Sequence, residues 1–260
     1  MLEWIPRGLR GGRVTTRYPH REEAAPPGYR GRVALLNDAG AERGLATVCP
    51  TGAIALDAQR RLTLDRGRCI LCGACVAAEP ERFAFESRYQ TAARSRSALI
   101  AGGPDGAGGV EPARRALGER AAALRRSIHV RHIDCGSDGS EEWEIQALWN
   151  PHYDIQRLGF FLTAAPRHAD VLLVTGPVTS AMRLPLERTW EVMPEPKALV
   201  AVGTDACSGG LSAAGSLSAG GVDAVLGVDV YVPGSPPAPI AIMHGLLLAT
   251  GLLGAAEVSA

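Results

Sequence analysis

Residues 48–75 read VCPTGAIALDAQRRLTLDRGRCILCGAC, and the spacing of the four cysteines in that stretch governs how the chain is read. Cys69, Cys72 and Cys75 recur at intervals of three, the core of the C-x2-C-x2-C-x3-C-P run that wraps a [4Fe–4S] cluster. Soft thiolates suit iron–sulfur ligation, and a tight turn at Gly73 lets backbone amides point at the sulfides and offset cluster charge. A cubane still needs a fourth ligand. Where two such runs occur together, the last cysteine of each ligates the other run's cluster, so the missing thiolate is expected upstream and before a proline. Cys49-Pro50 fits. The spacing therefore predicts one [4Fe–4S] cluster on Cys49, Cys69, Cys72 and Cys75. A zinc ion on the same four residues is the alternative, although zinc sites more often use paired C-x2-C knuckles.

The phrase VCPTGAI at 48–54 resembles the end of the first run in bacterial-type ferredoxins, and the likeness covers about residues 30 to 90. It implies an α+β ferredoxin-like fold for this part of the chain. Counting back from Cys49, the other first-run positions are Ala39, Glu42 and Leu45, and the last position of the second run is Glu79, before Pro80. None is cysteine. The resemblance thus implies a two-cluster ancestor from which all four ligands of one cluster have gone while the other four stayed.

The rest of the chain follows from composition and pattern. At 260 residues, two domains are favoured over one. Hydrophobic residues make up 46% and charged residues 21%, and 27 basic residues balance 27 acidic ones, which leaves no long-range field for a nucleic acid partner. The N-terminus, MLEWIPRG, has no export signal, so a cytoplasmic location is expected. Six cysteines in such a chain point to metal ligation before disulfides. The run IAIMHGLLLATGLL, 240–253, falls short of the roughly 20 residues of a membrane span and reads as a buried helix, making any membrane association indirect. The segment AGGPDGAGG at 101–109 reads as a linker, and PARRALGERAAALRRS at 112–127 as a helix. The expected organisation is a ferredoxin-like domain with an N-terminal arm over 1–100, a linker and helix over 101–127, and an α/β domain over 128–260.

Within the last part, 128–133, 171–174 and 198–202 are short apolar or β-branched runs that read as strands. Between the first two, NPHYDIQRLGFFL reads as a helix capped by Asn150, with Ile155, Leu158 and Leu162 on one face. Alternating strands and helices predict a doubly wound sheet, with candidate site loops at its carboxyl edge: 134–141, 203–210 and 232–239. The loop GTDACSGG lacks the G-x-G-x-x-G spacing of a dinucleotide site.

From Ile128 onward the chain resembles the small subunit of group 4 membrane-bound [NiFe] hydrogenases and its homologue, the B subunit of respiratory complex I. The resemblance rests on residues 150–179, SGG at 208–210 and VDVYVPGSPPAP at 228–239. It implies a flavodoxin-like α/β domain with a proximal [4Fe–4S] cluster on the three loops. Aligning DCGSDGSEEWEI with that family's D-x-G-S-C-x-x-C-x-x-E-I pattern puts Asp138 and Glu141 at the first two ligand positions, Asp205 at the third and Ser235 at the fourth. Hard oxygen groups are poor replacements for thiolates, so this second site is expected to be empty. A shifted cluster using Cys135 and Cys207 is the alternative; otherwise the two are small buried hydrophobes. Three acids in one pocket should be protonated, paired with a base such as Arg183, or bridged by a hard cation. His152 and His168 are expected to pack or cap, and Trp143 and Trp149 to lie in the core or at an interface.

The arm, with RGLRGG and VTTRYP at 7–19, looks like the ferredoxin subunit of the same complexes, so the chain resembles a fusion of two adjacent subunits. What this implies is an electron-transfer and scaffold subunit with no catalytic residues of its own. Its expected partners are a large subunit, a redox donor subunit and membrane-embedded subunits, which would hold it peripherally on the cytoplasmic side of the cell membrane. The alternatives are a structural subunit of a transport assembly that has lost long-range electron transfer, and a free-standing carrier.

Overall fold

The apolar positions in the first third alternate with polar ones over runs of three or four residues, enough for short strands but not for long helices. The computed structural model describes residues 4–12, 14–39, 43–57, 60–102, 119, 127–212 and 214–253. Most of the expected linker at 101–109 and of the expected helix at 112–127 lies outside them. A short helix α1 (Trp4–Gly11) precedes five strands: β1 (Arg32–Leu35), β2 (Ile54–Leu56), β3 (Leu62–Asp65), β4 (Phe83–Glu86) and β5 (Ile100–Ala101). β1 pairs antiparallel with β4, while β3 lies between β2 and β5. Val33, Leu45, Ile54, Leu62, Leu64 and Phe83 form the core beneath these two small sheets. One helix, α2 (Ala74–Ala78), starts directly after Gly73.

The second half is a parallel sheet of β6 (Ile128–Asp134), β7 (Phe160–Leu162), β8 (Val171–Thr175), β9 (Ala198–Val202) and β10 (Val230–Val232) in the order β10-β9-β8-β6-β7. In domain terms this is the 2-1-3-4-5 order of doubly wound flavodoxin-like sheets. Every residue of β8 and β9 is buried, as expected of strands covered on both faces. Alternate residues feed two cores: Val171 and Leu173 face one, Leu172 and Val174 the other. The first core takes α3 (Ser140–Ala147) and α6 (Pro239–Ala249); the second takes α4 (Ser180–Val192) and α5 (Thr204–Ser208). All eleven residues of α6 are buried, so the apolar run near the C-terminus is a core helix. Among the described residues no helix is long and apolar enough to cross a membrane.

One expected element is absent. Residues 150–162 form a turn, a short 3-10 segment over Ile155–Leu158 and then β7, not one helix. Asn150 caps as expected, but its side-chain oxygen accepts from the backbone N–H of His152 and Tyr153 (2.9 and 3.0 Å) and so closes a turn. Asp154 and Gly159 are both left-handed (φ 42° and 89°), which ends any helix at one turn. Ile155 and Leu158 are buried, whereas Leu162 is 51% exposed on the edge strand.

Candidate metal centre

Cys69, Cys72 and Cys75 sit on the loop between β3 and α2. Its backbone turns through Leu71 (φ 57°) and Gly73 (φ 82°), both left-handed. A leucine in that region costs about 1–2 kcal/mol, a strain of the kind that persists where the surrounding structure uses it. Here it curls the chain around a pocket lined by Cys49, Cys69, Cys72, Cys75, Thr51 and Ile54. Cys49 arrives from the turn before β2, so the structure brings all four cysteines of the sequence pattern to one place. The backbone N–H of Ala53 donates to Cys49 Sγ at 3.2 Å, and Thr51 Oγ1 lies 3.5 Å from the same sulfur.

The donor set fits a polynuclear group. Burial pushes the Cys69 thiol up to about 11, with the neighbouring Cys75, Cys49 and Cys72 adding repulsion, while the Leu71 amide acts in the opposite direction. Burial likewise raises Cys75, followed by the influence of Cys49 and Cys72. Buried thiols that resist ionising, as at Cys69 and Cys75, would be held as thiolates by a cationic centre, and metal binding would release their protons. A single zinc ion requires four sulfurs about 2.3 Å from one point. All four thiols line one pocket, and soft sulfur donors are the set that iron–sulfur clusters use.

Of the positions of the other expected run, Glu42 lies outside the described residues and Ala39 is exposed. Leu45 is buried in the core of this part, and Glu79 pairs with Arg82 at 3.5 Å.

The two halves meet beside Cys69. Thr204 Oγ1, at the start of α5, lies 3.0 Å from the Cys69 carbonyl and 3.1 Å from that of Gly234. Asp205 and Ser235 are the next residues on their loops, so the cysteine cavity adjoins the carboxyl edge of the parallel sheet. At that edge Asp138, Glu141 and Asp205 lie within electrostatic reach of one another. Hydrogen bonds from the Ser140 hydroxyl and amide (2.6 and 2.9 Å) lower the Asp138 carboxyl. Burial raises Glu141 to about 7, with the charges of Asp138 and Asp205 adding to it. Asp205 is raised for the same two reasons, burial first. Glu141 rests directly on the backbone of Gly203, where a Cβ would lie 2.3 Å from Oε1; only glycine, at φ 91°, admits it.

Ser235 is exposed and makes no described hydrogen bond to the three acids. Arg183, expected as a partner for them, instead pairs with Glu187 at 3.1 Å on α4, one turn along the same helix. Cys135 and Cys207 are fully buried in one apolar core, and burial pushes the Cys135 thiol up to about 12 and Cys207 further. They are built as small hydrophobes. His152 caps the N-terminal arm through Val14 (Nδ1 to carbonyl, 3.1 Å), and His168 lies in a short 3-10 turn. Trp149 packs on the core, while Trp143 on α3 is 74% exposed.

Two groupings had no sequence signal. At the junction of β6 and β8, where the strand order reverses, His132 Nε2 lies 2.9 Å from Thr175 Oγ1, which in turn donates to Glu142. Burial lowers the His132 imidazole, with the carboxylates of Glu142 and Asp134 pulling the other way. Beside Cys69, Arg32, Arg66 and Glu86 converge from β1, the loop after β3 and β4.

A family model described as the NADH ubiquinone oxidoreductase 20 kDa subunit matches residues 138–249, and one described as a 4Fe-4S single cluster domain matches residues 62–124. The first covers the parallel-sheet half from α3 to α6, without β6, and the second covers three of the four clustered cysteines. Formate hydrogenlyase subunit 7 of Escherichia coli is 42% identical over 130 residues, which are 50% of this chain; the chain spans about half (51%) of that protein. A probable membrane-bound hydrogenase subunit of Pyrococcus furiosus is 40% identical over 140 residues, 52% of this chain and 84% of the relative. Among solved structures, a membrane-bound sulfane sulfur reductase, an archaeal respiratory membrane complex, has a chain that is 27% identical, with a TM-score of 0.44 over 52% of this chain and 77% of that one.

Proposed function

Because the chain belongs to the family of the 20 kDa subunit of NADH ubiquinone oxidoreductase and carries a 4Fe-4S ferredoxin domain, we propose that it is an electron-transfer and scaffold subunit of a membrane-bound hydrogenase or complex I-like respiratory assembly. On this reading it holds one [4Fe–4S] cluster on Cys49, Cys69, Cys72 and Cys75 and lacks the second cluster of its relatives. It sits peripherally on the cytoplasmic side of the membrane, against a large subunit, a redox donor subunit and membrane-embedded subunits. The observation that carries the reading is the convergence of all four cysteines on one pocket.

A bound cluster would supply a one-electron couple. The chain does the rest. The left-handed turn at Leu71 and Gly73 brings the three cysteines of the loop to the wall of one pocket, and the Ala53 N–H donates to the Cys49 sulfur. The hydrogen bond from Thr204 to the Cys69 carbonyl fixes the loop against the second half, so the cavity keeps a constant distance from the carboxyl edge of the sheet. The domain division follows the same lines: a ferredoxin-like unit within 1–100, a linker and helix over 101–127, and the α/β unit over 128–260.

Oxygen groups at Asp138, Glu141, Asp205 and Ser235 favour a second reading, in which the assembly has given up electron transfer to the large subunit and this chain is structural. Iron and sulfide analysis with electron paramagnetic resonance of the reduced full chain tests the first. About four irons per chain and a single cubane signal are expected. About eight irons would overturn the single-cluster count, and none would remove the cluster altogether. Reduction of the cluster by the co-purified donor subunit separates the two readings, since the structural one expects no response.

A further inference from the structure

Arginines gather where the two halves meet. A second pocket also borders Cys69 and is lined by Arg32, Arg66, Cys69, Thr91 and Gly234. Arg66 is half-buried there, its Nε donating to the Val33 carbonyl at 3.3 Å. Arg32 is tied to Glu86 (Nε to Oε2, 2.5 Å), with side chains only 24% and 38% exposed. Arg66 lies within electrostatic reach of Arg32, Arg88, Glu86 and Cys69. Arg32 and Glu86 offset one another, so Arg66 brings positive charge to a partly desolvated seam, where it is weakly screened. Cys69 lines both this pocket and the cysteine pocket.

A cluster bound by four thiolates is an anion, and it gains one more negative charge on reduction. Fixed positive charge beside it therefore favours the reduced form more than the oxidised one, since net charge and burial are among the determinants of such potentials. We propose that Arg66, opposed by Glu86, sets the reduction potential of the cluster upward. This rests on the cluster assignment above. The step is the uptake of one electron from a one-electron donor, with no bond made or broken. Arg30 differs: it donates to the Leu71 carbonyl at 3.4 Å and lies over the Phe85 ring, but it is exposed, so solvent and salt screen its charge. These are positioning charges that touch no reactant.

Potentiometric titration of the full chain, read by electron paramagnetic resonance, decides the matter. Arg66→Met is expected to shift the midpoint to more negative potential and Glu86→Gln to more positive potential, both at the parent's iron content. Opposite shifts from two neighbouring substitutions are a signature that a packing role does not produce. If Arg66→Met fails to load iron, Glu86→Gln decides alone. Fully loaded variants with the parent's midpoint, or both moved in the same direction, would overturn the proposal while leaving the cluster assignment standing. An unsubstituted chain without a cubane signal would overturn both.

Discussion

Glu141 shows what burial does to a carboxylate. It is 3% exposed, and burial lifts its carboxyl to about 7. The unfolded chain would lose that proton near pH 4.3, so between about 4.3 and 7 the folded protein binds more protons than the unfolded one. Stability therefore falls as pH rises through that window and levels off above it. Glu141→Gln should abolish this slope, leaving stability nearly unchanged near pH 4 and higher than the parent's by about 3–4 kcal/mol at pH 8. Urea denaturation of both proteins from pH 4 to 8 checks this; parallel curves would show that Glu141 is charged and compensated in the fold. The identity of the residue at 141 was legible in the sequence, but its protonation was not. That depends on Gly203 admitting the side chain and on Asp205 approaching from another loop.

At the level of elements, local signals succeeded where they were redundant and failed where one residue decided. The strands over 171–174 and 198–202 were legible because β-branched residues, apolar runs and closing turns agreed. The segment 150–162 had a good helix start, but two left-handed residues, Asp154 and Gly159, cut it to one turn and released Phe160–Leu162 to pair with β6. The helix α6 offers a test of which force rules inside an element. Gly245→Ala gains about 1 kcal/mol of helix propensity. Its new Cβ, however, would lie 2.3 Å from Val232 Cγ2 in a fully buried strand. Overpacking of that kind costs about 1–3 kcal/mol. The substitution should therefore lower the thermal midpoint, with a net loss of about 1 kcal/mol. A raised midpoint would mean that Val232 moves aside freely.

Across the whole molecule, contacts between distant segments hold the halves in register. Arg96 grips Asp65 with two hydrogen bonds (2.6 and 2.5 Å) and reaches towards Asp223 at 4.0 Å, linking the loop before Cys69 to the parallel-sheet half. Arg96→Met should cost about 2 kcal/mol, less than a fully buried pair because both side chains keep some exposure. It should also make loss of cluster absorbance precede the main circular dichroism transition in urea. Coincident transitions at the parent's midpoint would show that the halves are joined mainly elsewhere. The N-terminal arm is part of the same fastening. Tyr18 is buried in the core of the parallel-sheet half, and the backbone of Thr16 bonds to His152 at 2.8 Å. The sequence by itself determined the cysteine quartet, the parallel strands and the oxygen-bearing residues at the second site, because each is written in residue type and short-range spacing. Only the tertiary structure decided the charge around Cys69, the protonation of Glu141 and the seat of the arm. Burial and Coulomb forces depend on distance in space, and residues 32, 66, 86 and 88 become neighbours only once the strands that carry them have paired.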